Sequence, residues 1–315
     1  MNIIKNRYWY FLISLLVIVP GIFFMVLHAA ETGRGPLSLG IDFTGGSLLE
    51  VQFSGTRITQ EQVTAIYNNL STADQPIKDP VIQPLGEDSY SIRSKAMNDA
   101  TKGNIVAEME KQSGSTVTTL NFTSVSASVG AEVTRSAGFA ILMAAVAILI
   151  YIWFAFRRVE HAFRYGAAAI IAMLHDVLVV LGTEAILGHL LGWEADALFL
   201  TALLTVIGFS VHDSIVVFDR IRENSMIYRH LEYETLVNHS VVQTLDRSIN
   251  TQLTVMLTLL ALVLFGGDSI RHFVVILLVG IFSGTYSSIF NASPILVVWE
   301  KQEWKTWFRR KEATA

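Results

Sequence analysis

The sequence contains no cysteine, and this absence excludes several kinds of chemistry. Disulfide bridges, thiolate catalysis and cysteine-ligated zinc all need a residue that the chain does not have. Charged residues are also scarce, at 16% of the chain, whereas an ordinary soluble domain carries about 25%. Apolar residues make up 52% and the mean hydropathy is +0.46. This composition predicts a membrane protein.

Two further absences concern catalysis and energy supply. The chain has no Gly-x-x-x-x-Gly-Lys-Ser/Thr motif, so it shows no nucleotide site of its own. Any energy it uses would come from an ion gradient or from a partner. Residues 31–137 contain no histidine, and their acidic residues are scattered along predicted helix faces. We therefore predict no enzyme and no cofactor, and expect this segment to bind or position something.

Six apolar stretches are long enough, or nearly so, to cross a bilayer, which takes about 20 residues of helix. They are residues 8–27, 138–156, 166–187, 197–218, 249–265 and 273–299. A cleaved signal peptide is the alternative for the first stretch. Its apolar run exceeds the usual length of a signal sequence, which favours a retained anchor.

The distribution of lysine and arginine predicts the orientation. Basic residues precede the first stretch and follow the second, fourth and sixth, whereas the opposite short loops hold Arg271 alone. By the positive-inside rule both termini are cytoplasmic and residues 31–137 are exported. The sequence therefore divides into four parts: the N-terminus and first span (1–30), the exported domain (31–137), the other five spans (138–299) and a basic cytoplasmic tail (300–315). Residues 219–248 form a cytoplasmic segment in this division. Within it, residues 219–224 followed by 228–240 are typical of an interfacial helix whose basic residues lie against anionic head groups; a solvated charged loop is the alternative.

The exported segment has the pattern of a small α+β domain. Thr59 and Gln62 predict a capping box at the start of one helix, and Asn98 and Gly114 bound a second. Strands are predicted over 48–53, 81–85, 90–93 and 116–125. If the segment near 39–43 pairs into the first strand, the order is βαββαβ, which predicts a ferredoxin-like fold.

Ionisable residues inside the spans are the strongest functional signal, because each is costly in a bilayer. The third span contains His175, Asp176 and Glu184, and the fourth contains His212 and Asp213. Glu184 lies near the outer end of its span, where it could reach the membrane interface. The two His-Asp pairs could also contribute to a metal site, but adjacent residues cannot share a ligand direction, so such a site needs further ligands.

Polar residues also form stripes along the fourth and fifth spans. Arg247, at the start of the fifth, begins a stripe, and His212 ends one on the fourth. The stripe on the fifth span continues with Asn250, Thr251, Thr254 and Thr258. The stripe on the fourth span consists of Thr201, Thr205, Gly208 and His212. If the stripes face each other, they form a hydrated, protonatable path. A buried Asp213–Arg247 pair that only locks two helices together is the alternative.

Small residues in the sixth span indicate close helix packing. Gly280 and Gly284 form a Gly-x-x-x-Gly pair that Ser287 and Ser288 continue. The same motif could face a partner subunit. Asn291 and Pro294 are expected to kink or hydrate the end of this span.

Several motifs resemble the SecD/SecF family of protein-export membrane proteins, and the resemblance covers nearly the whole chain. One follows the first span and consists of Gly40, Ile41, Asp42, Phe43, Thr44, Gly45 and Gly46. Similar motifs lie at 129–130, 174–177 and 243–248. The segment over 207–224 is highly specific, although the family usually has asparagine where this chain has His212.

The resemblance implies a fold of the resistance-nodulation-division superfamily and assembly with SecD into a twelve-span unit. It implies association with the SecYEG channel, YajC and translocating unfolded polypeptide in the bacterial inner membrane, with no nucleic acid. The implied function is to promote late steps of protein export with the proton motive force; sodium is the alternative coupling ion. Asp213 is the implied proton carrier, Arg247 its modulator, and Asp176 and His212 further members of the relay.

Two other functions fit the sequence. A proton-coupled transporter half for small molecules or lipids in the same superfamily would need a substrate cleft, for which the exported segment is small. A scaffold without a transport cycle would use its buried charges only to fix helix packing. Intramembrane hydrolysis is disfavoured, because the His-Asp pairs lack a nucleophile.

Overall fold

The computed structural model describes residues 2–33, 35–157 and 162–303, and at residues 268 and 269 it describes the backbone only. The elements fall into two units. A helical unit comprises residues 1–38, 141–193 and 198–315, and a sheet unit comprises 39–140 and 194–197. The predicted basic tail, from residue 304 onward, lies outside the described residues.

The sheet unit begins with a short helical turn and continues as two helices and four strands. Its elements are α2 (Ile41–Thr44), β1 (Gly46–Phe53), α3 (Gln60–Leu70), β2 (Val81–Pro84), β3 (Ser89–Ser94), α4 (Asp99–Ser113) and β4 (Val117–Val125). The strands pair antiparallel in the order β2-β3-β1-β4. This is the predicted βαββαβ arrangement, and it confirms the α+β fold class.

Sequence signals account for the helices of this unit. Thr59 and Gln62 form the predicted capping box before α3. Asn98 caps α4 by accepting the Thr101 N–H at 2.8 Å, and Gly114 ends it in a left-handed conformation. The core lies between the helices and one face of the sheet. Tyr67 of α3 is buried there with an unpaired hydroxyl, and burial raises the pKa of that hydroxyl above its usual range.

One strand prediction is wrong, because residues 39–43 do not extend the first strand. The chain instead turns helically over Ile41–Thr44, and β1 starts only at Gly46. Gly45 and Gly46 have φ angles of +71° and +127°, which L side chains rarely adopt. Leu39 forms an isolated parallel bridge with Ala195. The paired glycines therefore separate this turn from the sheet.

Within residues 2–33, 35–157 and 162–303, six helical segments are long and apolar enough to cross a membrane, which confirms the predicted number of spans. Five spans are single helices, and the sixth is made of two. The helices are α1 (Arg7–Thr32), α5 (Ala127–Phe156), α6 (Ala162–Leu191), α7 (Ala197–Ile227), α8 (Tyr233–Phe265), α9 (Asp268–Ser287) and α10 (Ser293–Glu300). The sixth span combines α9 and α10 across one turn of π-helix, Ser288–Ala292. Pro294 follows this turn and lacks the N–H that a regular helix would use, which accounts for the widened segment.

The helices are longer than the apolar stretches that predicted them. Residues 219–248 are not a separate loop and interfacial helix: α7 continues to Ile227, and Tyr233 already begins α8. Neither glycine nor proline interrupts α8 between residues 233 and 265. Polar residues at a span's end therefore continue the helix instead of breaking it.

A glycine pair that no sequence motif marks brings α1 and α6 together. A Cβ at Gly21 would lie 2.6 Å from the Cα of Gly182, and a Cβ at Gly182 would lie 2.7 Å from the Cα of Gly21. The two backbones thus touch, as small residues allow inside membranes. The residues are far apart in sequence, so their contact becomes visible only in three dimensions.

We predict that Gly182→Val separates α1 from α6 and destabilises the protein by about 1–3 kcal/mol, the usual effect of overpacking. The measurement is the thermal unfolding midpoint of the full chain in detergent. Gly138→Val on α5 is the control, because a Cβ there would meet nothing within 4 Å. Equal effects of the two variants would show that the backbone contact is unimportant.

Candidate functional site

Asp176 lies in the middle of α6 and has a complete set of hydrogen-bond donors. It is 1% exposed. Its Oδ1 accepts from Ser283 Oγ at 2.7 Å and lies 2.9 Å from His175 Nδ1. Its Oδ2 accepts from Ser210 Oγ and Ser287 Oγ, both at 2.5 Å. A carboxylate offers about four acceptor positions, so its neighbours already use its full capacity.

Asp213, on α7, is also buried but has fewer donors. It is 4% exposed, and its Oδ2 accepts a hydrogen bond from Ser288 Oγ. Ser248 of α8 lies close to the same carboxylate, although its Oγ makes no hydrogen bond with the described residues. Asp213 therefore keeps acceptor positions at which a proton can bind without displacing a donor.

Consecutive serines at the end of α9 connect the two carboxylates. Ser287 donates to Asp176 and Ser288 donates to Asp213. Ser288 is the first residue of the π-helical turn, and Ser288 Oγ also lies 3.0 Å from the carbonyl of Thr285. Movement of this segment would change the hydrogen bonding of both carboxylates together. The sequence indicated these serines only as small packing residues; their roles as donors were missed.

Gly280 and Gly284 allow α9 to approach the helices that carry the carboxylates. A Cβ at Gly280 would lie 2.2 Å from Val206 Cγ2 and 3.1 Å from Val180 Cγ2. A Cβ at Gly284 would lie 3.4 Å from the Cα of Ser210. These approaches bring the serines of α9 within hydrogen-bonding distance of Asp176 and Asp213. The predicted packing motif thus contacts α6 and α7 within this chain.

The structure does not place Arg247 against Asp213. Arg247 is exposed, and no ion pair or hydrogen bond among the described residues joins the two side chains. The reason is helical phase: Ser248 is buried on the inward face, and successive side chains on a helix point about 100° apart. The buried polar face of α8 consists of Ser240, Thr244, Ser248 and Gln252. The alternative of a buried Asp–Arg lock is therefore wrong for this structure.

Both predicted polar stripes lie largely on exposed surfaces of their helices. His212 is exposed although its neighbour Asp213 is buried, and Thr205 is half-buried. The remaining exposed members are Thr201, Gly208, Arg247, Asn250, Thr251, Thr254 and Thr258. A path confined between α7 and α8 of this chain would require these residues to be buried. The stripes instead form an exposed polar surface on bilayer-spanning helices.

The motif after the first span joins several parts of the sheet unit. Gly40 N–H donates to the Ala195 carbonyl at 2.7 Å, and Asp42 Oδ2 accepts from Ala197 N–H, the first amide of α7, at 2.9 Å. A Cβ at Gly45 would lie 2.8 Å from the Cα of Ala127, and one at Gly46 would lie 2.7 Å from the Ser94 carbonyl oxygen. The motif thus fits closely against strand and helix ends.

The remaining motif residues support this turn. Thr44 Oγ1 donates to the Gly40 carbonyl at 3.0 Å. The Phe43 carbonyl accepts from Thr134 Oγ1 of α5 at 3.1 Å. A Cβ at Gly130 would lie 3.0 Å from that carbonyl oxygen. Arg93 of β3 contributes hydrogen bonds to the Leu39 carbonyl and Glu194. Side chains that donate to the backbone carbonyls of the turn therefore hold it in place.

We predict that Asp42→Ala removes the cap of α7 and destabilises its first turn by about 1 kcal/mol, the usual value of a cap. Amide hydrogen exchange at residues 197–199 should become several-fold faster. Asp42→Asn is the matched control, because asparagine caps helices as well as aspartate does. Faster exchange in both variants would show that the negative charge, and not the cap, matters.

The described residues contain no group of three or more histidine, aspartate, glutamate or cysteine side chains that could hold a metal ion. His175 Nδ1 and Asp176 Oδ1 lie 2.9 Å apart, so these neighbouring side chains are within hydrogen-bonding distance of each other. His175 Nε2 is buried without a hydrogen-bond partner in the described part of the chain. Its ring stacks against Tyr286 with centroids 6.3 Å apart.

These features define a class: a six-span membrane protein with hydrogen-bonded carboxylates among its helices and a βαββαβ unit between the first two spans. Two family descriptions match the sequence. "Protein export membrane protein SecD/SecF, C-terminal" covers residues 105–302, and "SecD/SecF GG Motif" covers 35–56. The chain belongs to the SecD/SecF family of protein-export membrane proteins.

Individual relatives agree with this assignment. The protein translocase subunit SecF of Anaerolinea thermophila is 53% identical over 98% of this chain and 97% of its own length. That of Thermobaculum terrenum is 46% identical over 100% and 99%. The crystal structure of SecDF from Thermus thermophilus is similar with a TM-score of 0.77 and 31% identity, over 96% of this chain and 39% of the SecDF chain.

Proposed function

We propose that this chain is the SecF-type half of a SecD–SecF assembly that uses the proton motive force to promote late steps of protein export. The family relationship, with relatives named protein translocase subunits, supports the role of an auxiliary subunit of the Sec translocase. The observation that carries the proton part is the unequal hydrogen bonding of the two buried carboxylates. Asp176 is saturated with donors, whereas Asp213 has room for a proton.

In the proposed cycle Asp213 carries the proton and Asp176 anchors α9. Protonation of Asp213 changes its interaction with Ser288, and the adjacent Ser287 transmits that change to Asp176. A ligand shifts a conformational equilibrium by its difference in affinity for the two states, and the proton acts here as that ligand. One proton crossing 100 mV supplies about 2.3 kcal/mol, comparable to making or breaking one or two buried hydrogen bonds.

The exposed polar surface of α7 and α8 supports a SecD-like membrane partner. Polar residues at bilayer depth normally face protein or water instead of lipid. This chain covers only 39% of the SecDF chain that it resembles. The name SecDF indicates that the SecDF chain also contains a SecD half. We propose that a SecD-like half covers this surface, where Arg247 and His212 would contact it and complete the proton path.

The family role also supports a proposal about the further partners and the location. We propose that the assembly associates with the SecYEG channel and YajC in the bacterial inner membrane and acts on unfolded polypeptide. The basic loops support cytoplasmic termini and an exported sheet unit. The proton is the proposed coupling ion, and sodium is the alternative. No bound cofactor is needed for this function.

We predict that Asp213→Asn abolishes gradient-dependent stimulation of secretion, because the amide cannot take up a proton but keeps the size and the hydrogen-bond acceptor. Secretion of a reporter is measured in cells or vesicles with and without an ion gradient. Asp219→Asn is the control on the same helix, where the carboxylate is accessible and pairs with Arg222. Unchanged stimulation with Asp213→Asn would rule out this carboxylate as the carrier.

We predict that the α7–α8 surface cross-links to a SecD-like subunit. Because the chain has no cysteine, a benzophenone probe can be attached at a single introduced site. Thr254→Cys, in the polar stripe, should cross-link to the partner, whereas Phe282→Cys, an exposed apolar site on α9, should not. Equal yields from both sites would contradict the interface, and a cross-linked homodimer would favour the small-molecule transporter.

A further inference from the structure

A second buried acidic group lies on α6, away from the site described above. Glu184 is 2% exposed, and its Oε2 lies 2.7 Å from Nε2 of His272 on α9. The Glu184 side chain is therefore enclosed by its neighbouring helices. Its other oxygen, Oε1, is buried without a hydrogen-bond partner among the described residues. A buried carboxylate oxygen with no donor is costly unless it can receive a proton.

Aromatic rings surround the histidine of this pair. The His272 ring lies 4.6 Å from the ring of Trp193 and 6.4 Å from that of Phe199, between centroids. These rings limit contact with water on their sides of the pair. His272 nevertheless keeps 18% of its side chain accessible, compared with 1% for Glu184. The histidine is thus the accessible member of the pair and the carboxylate its enclosed member.

Three other titratable or charged residues lie at this end of the helices, and none of them is described in contact with Glu184. α1 contributes His28 and α6 contributes His189, whose ring lies 5.2 Å from Phe24. Arg271 precedes His272 on α9 but is exposed. Among the described residues, the contact between Glu184 and His272 joins α6 to α9. A neutral imidazole has one ring nitrogen that donates and one that accepts a hydrogen bond, so His272 has the chemistry to exchange a proton with the carboxylate beside it.

The pair and the inner carboxylate lie along the same helix interface. Glu184 is eight residues from Asp176 on α6, about 12 Å along the axis, and His272 is eleven residues from Ser283 on α9, about 16 Å. Between these levels Gly280 packs tightly against Val180 and Val206. This apolar contact separates two polar sites, so a proton can pass between them only when the helices move.

We propose that Glu184 and His272 form a second proton site, on the predicted exported side, which loads the inner carboxylates when the contact at Gly280 opens. A hydronium ion from that side gives its proton to the pair and leaves water. The proton ends on Oε1 of Glu184, and the charge of the pair rises by one. Release inward restores the original charge. This inference rests on the proposed proton-driven function and extends it to the entry of the proton.

The test compares Glu184→Gln and His272→Phe with the native chain in the full SecD–SecF assembly. Gradient-dependent secretion is measured while the pH on the exported side is varied. Glutamine keeps the shape but cannot release or take up a proton, and phenylalanine keeps the ring packing. We expect secretion to lose its dependence on external pH in Glu184→Gln. In His272→Phe we expect the pH at which secretion is half-maximal to shift. Glu132→Gln, at an exposed site on α5, should leave it unchanged.

A second measurement separates a proton site from a structural contact. Infrared difference spectra of the assembly at changing pH should show carbonyl bands of protonated carboxylic acids, and Glu184→Gln should remove the contribution of Glu184 while the Asp213→Asn variant keeps it. A native pH profile and band in a folded Glu184→Gln variant would overturn the inference. If the proposed function itself is wrong, Asp213→Asn will also leave secretion unchanged. If only the inference fails, Asp213→Asn will still abolish the stimulation.

Discussion

Hydrogen bonds from the sixth span to buried carboxylates are the interaction around which the helical unit is organised. A charged group in a bilayer core is stable only when donors or a counter-charge surround it. In this chain the donors are serines, and three of them lie on α9 or at its end. Because a serine side chain is short, α9 must approach α6 and α7 closely. Gly280 and Gly284 permit that approach.

The same arrangement explains why two similar aspartates differ in chemistry. Asp176 receives donors from two neighbouring helices and an adjacent histidine, so it holds its surroundings together. Asp213 accepts a hydrogen bond from Ser288, and in the proposed cycle it is the carboxylate that exchanges a proton. The contact from Ser287 to one aspartate and from Ser288 to the other makes the π-helical turn a common element of both. Extra turns of this kind are frequent at functional sites, and here the turn positions both donors.

Exposure of polar residues at bilayer depth gives the chain the character of one half of an assembly. His212 and Arg247 are exposed on spanning helices while the groups beside them are buried. A lone six-helix protein would place such residues in lipid at considerable cost. The surface is therefore consistent with a partner that completes the membrane domain. In the proposed function the proton path depends on both halves, and Asp213 is the part of it that this chain contributes.

The amino-acid sequence by itself determined the six spans, the capping signals of α3 and α4, the strands after residue 45 and the buried aspartates. These features depend on local composition and periodicity, which can be read from residues close together in the sequence. The tertiary structure decided which face of α8 turns inward, and so excluded the contact between Arg247 and Asp213. Both faces of that helix are polar, so periodicity could not choose between them. The donors to Asp176, the contact of Gly21 with Gly182 and the pairing of Glu184 with His272 likewise join distant residues, and only packing brings them together.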